Sequence, residues 1–264
     1  MNLPEAPATE QTRVHLAAGC ETMKQLLSGL LDSKGKVADE IHAIRKLGKS
    51  LRGGFALFGL QKSSALEIQA IGRLLSNSRD ACSRFNTWNK LDWKEDPTVS
   101  AAIGLLLEQQ THSAARRPPA ETIAWCLARV DAALAELQGL PEKNLEDLLT
   151  KGLEKLKKRA LKRCGKLGHR SDEDFHEARK AVKALLGAIG FLPEGTAPLD
   201  PQFQHLAELL GDENDLTTLA RWLKQHGFTN RFAPDLCRTV DEARLKLQRR
   251  VIKDVGKLSS AVPS

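Results

Sequence analysis

The chain has 264 residues, 41% of them hydrophobic, and its 40 Lys and Arg exceed its 33 Asp and Glu for a formal net charge of +7. That length carries one large core or two smaller ones. No apolar run approaches the roughly 18 residues of a membrane span, and the opening MNLPEAPATEQ lacks the basic and apolar regions of a signal peptide, so a soluble, cytoplasmic protein with no membrane partner is expected.

After a flexible leader over 1–11, apolar spacing predicts helices over 12–32, 37–59, 64–90, 98–116, 120–138, 143–167, 172–191, 200–226 and 232–258, with no alternating strand. Asp96-Pro97, Pro118-Pro119, Leu140-Pro141 and LPEGTAPLDP interrupt the periodicity. Ser171 with Asp174 forms a capping box before the helix at Asp172. Cys20, Cys82, Cys126, Cys164 and Cys237 are odd in number and scattered through apolar helical patterns, so they read as reduced core residues.

The second predicted helix holds HAIRKLGKSLRGG, whose Ala43, Gly48, Lys49 and Ser50 fit the loose spelling of a phosphate-gripping P-loop. The strand that such a loop needs is missing, because KGKVADEI upstream is charged and poor in β-branched residues. Apolar residues recur instead at Val37, Ile41, Ile44, Leu47, Leu51, Phe55 and Phe58, a helical spacing that runs through the supposed loop. What remains is basic: His42, Arg45, Lys49 and Arg52 form one stripe along one helix.

The positive surplus is concentrated. Residues 151–170 carry nine Lys or Arg against Glu154 alone, and 244–257 carry six against Asp254. One such run is ordinarily a solvated face; several that converge imply an anionic partner. Asp172, Glu173, Asp174 and Glu177 beside His176 suit a helix N-terminus and its dipole better than a metal site.

An internal repeat organises these features. IHAIRKLGKSL from Ile41 reappears as FHEARKAVKAL from Phe175, so that His42 matches His176, Arg45 matches Arg179, Lys46 matches Lys180 and Lys49 matches Lys183, all at an offset of 134. LLSNSRD, ending at Asp80, matches LLGDEND, ending at Asp215, at an offset of 135, and Lys24 falls opposite Lys158. The expected architecture is all-α: two pseudo-symmetric helical bundles, 12–138 and 139–264, whose equivalent basic stripes approach one another.

At His42/Arg45 with LLSNSRD and His176/Arg179 with LLGDEND, the sequence resembles the CHAD domains, the conserved-histidine α-helical family, whose signature is a basic His-x-x-Arg helix repeated once per half. The resemblance runs from about residue 12 to 258. It implies two helical bundles around a basic central channel and, as ligand, inorganic polyphosphate. Ser50, Ala184 and Leu186 stand where the family often has a basic residue, which predicts a weaker grip by the second stripe.

The chemistry of the residues agrees with that ligand. Polyphosphate is a string of anions without bases, so its binder needs rows of Arg and Lys but no stacking platform. This chain has no Tyr, and its four Trp and eight Phe sit mostly at core-like positions, whereas a single-strand nucleic-acid binder interleaves aromatics with its basic groove. Arg45, Lys49, Arg52, Arg179 and Lys183 are the expected primary phosphate ligands. His42, His176, Lys46, Lys180, Lys24, Lys158, Lys162, Arg250 and Lys253 complete the candidate site. Each motif histidine can donate to a phosphate or to a neighbouring main-chain oxygen. Asp80 and Asp215 are expected to act structurally, by capping a following helix or orienting an arginine of the facing half.

No nucleophile–base pair, carboxylate pair or metal-ligand spacing points to catalysis, so no catalytic residue, metal or cofactor is expected. The expected function is non-catalytic polyphosphate binding, with polyphosphate-granule proteins as further partners and the granule as location. A nonspecific nucleic-acid binder is the alternative, because both ligands are polyanions, and a histidine-based metal-binding module comes last.

Overall fold

The computed structural model describes residues 7–32, 37–93, 97–114, 116–169, 171–197 and 201–260. Among them the chain forms ten α-helices and no strand: α1 (Ala8–Asp32), α2 (Val37–Leu57), α3 (Ser64–Leu74), α4 (Ser76–Asn89), α5 (Pro97–Ala114), α6 (Ala120–Gln138), α7 (Leu145–Cys164), α8 (Asp172–Ile189), α9 (Pro201–Gln225) and α10 (Pro234–Ser260). Met1–Ala6 of the expected leader, Asp96 before Pro97 and residues 198–200 of LPEGTAPLDP lie outside the described residues. No described helix is long and apolar enough to cross a membrane.

Most helix boundaries fall within three residues of expectation, and two elements differ more. The first helix starts at Ala8, inside the predicted leader: the Gln11 N–H donates to the Pro7 carbonyl at 3.0 Å and Glu10 pairs with Arg13 at 2.9 Å, closing its first turn. The predicted helix 64–90 is two helices. Leu75 leaves the helical path with ψ of 21°, its N–H donating to the Ile71 carbonyl at 3.1 Å, and the weakly helix-forming Ser76 and Asn77 begin α4. By contrast α2 runs unbroken through the loose P-loop match. Ile41, Ile44, Leu51 and Phe55 line its buried face, which is why the segment is helical.

Packing divides the chain into two units. The first takes the described residues of Met1–Leu75, Arg117–Ala160 and Ala181–Asp200, and the second those of Ser76–Arg116, Leu161–Lys180 and Pro201–Ser264. Each unit thus draws segments from both sequence halves, 12–138 and 139–264, because helices early in the chain pack on helices late in it.

In the first unit α1 packs on α2 and α6, and α3 on the same two helices. Leu16, Leu27, Ile44, Leu51 and Phe55 are wholly buried there. The later half of α8 crosses α2 almost backbone to backbone. A Cβ on Gly53 would stand 2.3 Å from the Ala184 carbonyl oxygen, and one on Gly187 would stand 2.7 Å from the Ser50 Cα. Only glycine allows that approach. The end of α2 meets α7 as closely, since a Cβ on Gly152 would fall 2.1 Å from the Leu57 carbonyl oxygen.

In the second unit α9 packs on α4 and α10, and α4 on α5. Trp88, Leu107, Leu219, Trp222, Leu236 and Val240 belong to its core. The Trp222 indole N–H donates to Gln110 Oε1 at 3.0 Å, which satisfies the one polar atom that this ring takes inside. A polar network crosses the same unit: Glu213, 2% exposed, accepts from Gln248 at 2.9 Å and from Thr217 at 3.1 Å.

Candidate anion-binding site

Along α2 the buried face fixes where the basic stripe stands. His42 and Lys46 are exposed, while Arg45, Lys49 and Arg52 are half-buried beside the core. Arg45 donates through an Nη to the Gly72 carbonyl of α3, so it ties α2 to α3. Arg52 lies further along the helix and behaves differently. Burial, and then the positive charges of Arg73 and Arg159, hold its guanidinium below the ordinary arginine value.

Those three arginines come from three helices. Arg52 stands in the last turns of α2 and Arg73 in the last turn of α3. Arg159 comes from α7, which runs back past α2 from the close contact of Gly152 with Leu57, so two turns later it has returned to the neighbourhood of Arg52. Among the described residues none of the three has a carboxylate partner. Like charges so arranged destabilise one another and are relieved by an anion that bridges them.

Arg73 and Arg159 were not among the sequence candidates. Leu149, Gly152, Leu156 and Ala160 mark the buried face of α7; at 100° per residue Lys158 lies on the far side of that face and Arg159 beside it. The helical phase of the basic run therefore carried the signal for Arg159. Arg73 had none, because its position depends on how α3 packs against α2.

The other candidates are distributed as follows. Lys24 turns to α6, where its ammonium meets Asp131 at 2.8 Å, and it also lies 3.4 Å from Glu21; the hydrogen bond it donates to Asp131 is the main cause that raises its pKa. Lys183, on the later half of α8, is four residues before Gly187, as Lys49 is four before Gly53, so both lie one turn from the α2–α8 crossing. Ser50 and Ala184 are the residues crossed, through their backbone atoms.

In the second unit Arg179 is 7% exposed, and Lys180 is paired with Glu177, which also lies 3.4 Å from Arg163. His176 Nδ1 stands 3.2 Å from Asn214 Oδ1. Lys162, Arg250 and Lys253 are exposed. Ser171 caps α8 as the capping box requires: the Asp174 N–H donates to Ser171 Oγ at 3.1 Å, while that hydroxyl donates to the Asp174 carboxylate at 2.5 Å. Asp215 lies inside α9, a single helix across the matched LLGDEND, so it caps no following helix. Asp80 lies one turn into α4, where its charge opposes the burial that lowers the pKa of Arg84 on the same helix. Trp125 and Phe232 depart from the core-like expectation: they are 39% and 74% exposed, with the guanidinium groups of Arg129 and Arg231 over their rings.

An all-helical protein with a basic stripe of half-buried cations is the class that these observations define. The sequence model of the CHAD domain family matches residues 15–224, most of the chain, and the protein belongs to that family. A solved structure, the crystal structure of the CHAD domain from the plant Ricinus communis, has a similar fold, with a TM-score of 0.68 and 18% sequence identity over 100% of this chain and 95% of that one. No curated protein matches the chain.

Proposed function

We propose that this protein binds inorganic polyphosphate without turning it over, and that the ligand lies along the α2 stripe where Arg52, Arg73 and Arg159 converge. That convergence carries the reading: three arginines with no carboxylate partner among the described residues are a site made for a multivalent anion. Lys49 and Lys183, each one turn from the α2–α8 crossing, would extend the path along a chain of phosphates. Membership of the CHAD family supports the same ligand.

We propose further that the two halves are pseudo-two-fold repeats around a basic channel. The reciprocal crossing supports this, because Gly53 corresponds to Gly187 and Ser50 to Ala184 at the offset of 134, and each glycine meets the counterpart of the other's neighbour. A protein with this ligand would gather in the cytoplasm wherever polyphosphate does, at granules and beside granule proteins.

The test is titration of polyphosphate of defined length, against DNA and RNA competitors, at three salt concentrations. Arg73→Glu with Arg159→Glu should weaken polyphosphate binding about tenfold or more and flatten its dependence on salt, by roughly 0.7 to 0.9 slope units for each phosphate no longer neutralised, on the nucleic-acid scale. Unchanged affinity and slope would refute the site. Equal competition by nucleic acid would favour the general polyanion reading, and steady release of orthophosphate would refute non-catalytic binding.

A further inference from the structure

A cavity lies within the second unit, between the C-terminal half of α9 and the N-terminal half of α10. Its volume is about 660 Å³, inside the range of roughly 300 to 1,000 Å³ typical of small-molecule pockets. The family match ends at Lys224, so the loop after α9 and all of α10, which complete the walls, lie beyond it.

The cavity is polarised along its length. At one end Arg244 donates from Nε to Thr217 Oγ1 at 3.1 Å and pairs with Asp172, while Asp241 stands 3.7 Å away. The Asp172 and Asp241 side chains are 54% and 55% exposed, so their remaining oxygens are open to hydrogen-bond donors. Toward the other end Arg221 and Lys224 stand one turn apart on α9, and Arg231 projects from the loop. These three are exposed, and among the described residues none of them has a carboxylate partner. Thr217 and Lys224 are seven residues apart on one helix, a span of about 10 Å. Between the ends the wall is apolar: Ala220, Leu223, Val240 and Phe228, whose ring lies within 23° of parallel to Trp222 at a centroid distance of 6.4 Å.

A ligand that satisfies all three zones needs a multiply charged anionic head, a flat apolar body and hydrogen-bond donors about 10 Å from the head. A bare inorganic anion would leave the aromatic wall and the two carboxylates unmet. We propose that this cavity binds a nucleoside polyphosphate, with its phosphates on Arg221, Lys224 and Arg231, its base against Phe228 and Leu223, and its amino or hydroxyl donors toward Asp172 and Asp241. The site is separate from the α2 stripe and does not depend on the polyphosphate reading.

The experiment titrates ATP, adenosine and inorganic tripolyphosphate into the full chain at about 0.15 M salt, where weak surface attraction is screened. Arg221→Glu with Lys224→Glu should weaken ATP binding about tenfold or more, and by more than Arg73→Glu with Arg159→Glu does. Tripolyphosphate should lose less affinity than ATP from the Arg221/Lys224 reversal and more from the Arg73/Arg159 reversal, and adenosine should bind more weakly than ATP. ATP should also slow alkylation of Cys237, which lines the cavity. Ala220→Trp, which fills the cavity without changing charge, should abolish ATP binding and serves if the charge reversal lowers the melting temperature. The proposal fails if ATP shows no binding at about 1 mM, a free energy near 4 kcal/mol. It also fails if only the Arg73/Arg159 pair affects ATP, or if the Arg221/Lys224 pair abolishes tripolyphosphate binding as fully as ATP binding. Because tripolyphosphate reports on the α2 stripe in the same titrations, failure of one site leaves the other readable.

Discussion

Gly187 lies against Ser50 so closely that a Cβ on the glycine would stand 2.7 Å from the Ser50 Cα, and the equivalent Gly53 meets Ala184 in the same way. Neither helix can give at this crossing, because the opposing atoms are backbone. Gly53→Ala and Gly187→Ala should each cost about 1 to 3 kcal/mol, seen as a melting temperature lower by roughly 2 to 4 °C per kcal/mol. Gly29 supplies the contrast, since it sits mid-helix in α1 with nothing within 4 Å of an added Cβ. Gly29→Ala should stabilise by about 0.5 to 1 kcal/mol. Equal effects at Gly29 and Gly187 in thermal melts would rule out the close crossing.

Arg52 is held among like charges, which should cost stability in the absence of an anion and give affinity in its presence. Arg52→Met keeps much of the side chain's apolar length and removes the charge. The variant should melt at the same temperature as the parent or slightly higher without ligand. Added polyphosphate should raise its melting temperature less than it raises the parent's, because ligand stabilisation follows the affinity for the folded state. A variant that is less stable without ligand and equally stabilised by it would mean that Arg52 is a structural cation.

The helical class was legible because the buried positions of α2, such as Ile41, Ile44, Leu51 and Phe55, follow the 3.6-residue period. The stripe on the flank of that face was legible for the same reason. What each cation does was not. Arg45 and Arg52 stand seven residues apart on one face, yet one donates to the Gly72 carbonyl and the other stands among positive charges. That distinction depends on where α3 and α7 dock, which no local pattern encodes. Reversing Arg45 would therefore disturb the α2–α3 contact and is a poor probe of ligand binding. The break at Leu75 was hidden in the same way, because weak local propensities there are decided by packing.

Burial pushes the Cys20 thiol up to about 12 and those of Cys126 and Cys164 to about 11, whereas Cys82 and Cys237 are half-buried. At pH 8 a thiol with a pKa near 11 is ionised about one part in a thousand, and only the thiolate reacts. A disulfide reagent should therefore modify Cys82 and Cys237 first, and the other three only at the rate of unfolding. All five should react at once in denaturant. Fast native reaction of Cys20, located by mass spectrometry, would contradict the burial of α1 against its neighbours.

Glu136 of α6 caps the start of α3 from a distance, accepting from the Ser64 N–H at 3.0 Å and from the Ser64 hydroxyl. Hydrogen bonds from Ser63 and then Ser64 hold its carboxyl below the ordinary value of 4.5. A depressed carboxyl stabilises the fold above its unfolded pKa, and that contribution is lost as the pH falls from about 4.5 through the folded value. Glu136→Gln should thus be less stable than the parent at pH 7, by about 1 kcal/mol as for loss of a helix cap. The gap should close as the pH is lowered toward 3, because the parent's own carboxyl then takes up a proton. Urea unfolding of both proteins at pH 7, 5 and 3 measures the difference directly, with other titrating groups cancelling between them. A gap that stays constant across that range would show that the Glu136 charge takes no part in capping α3.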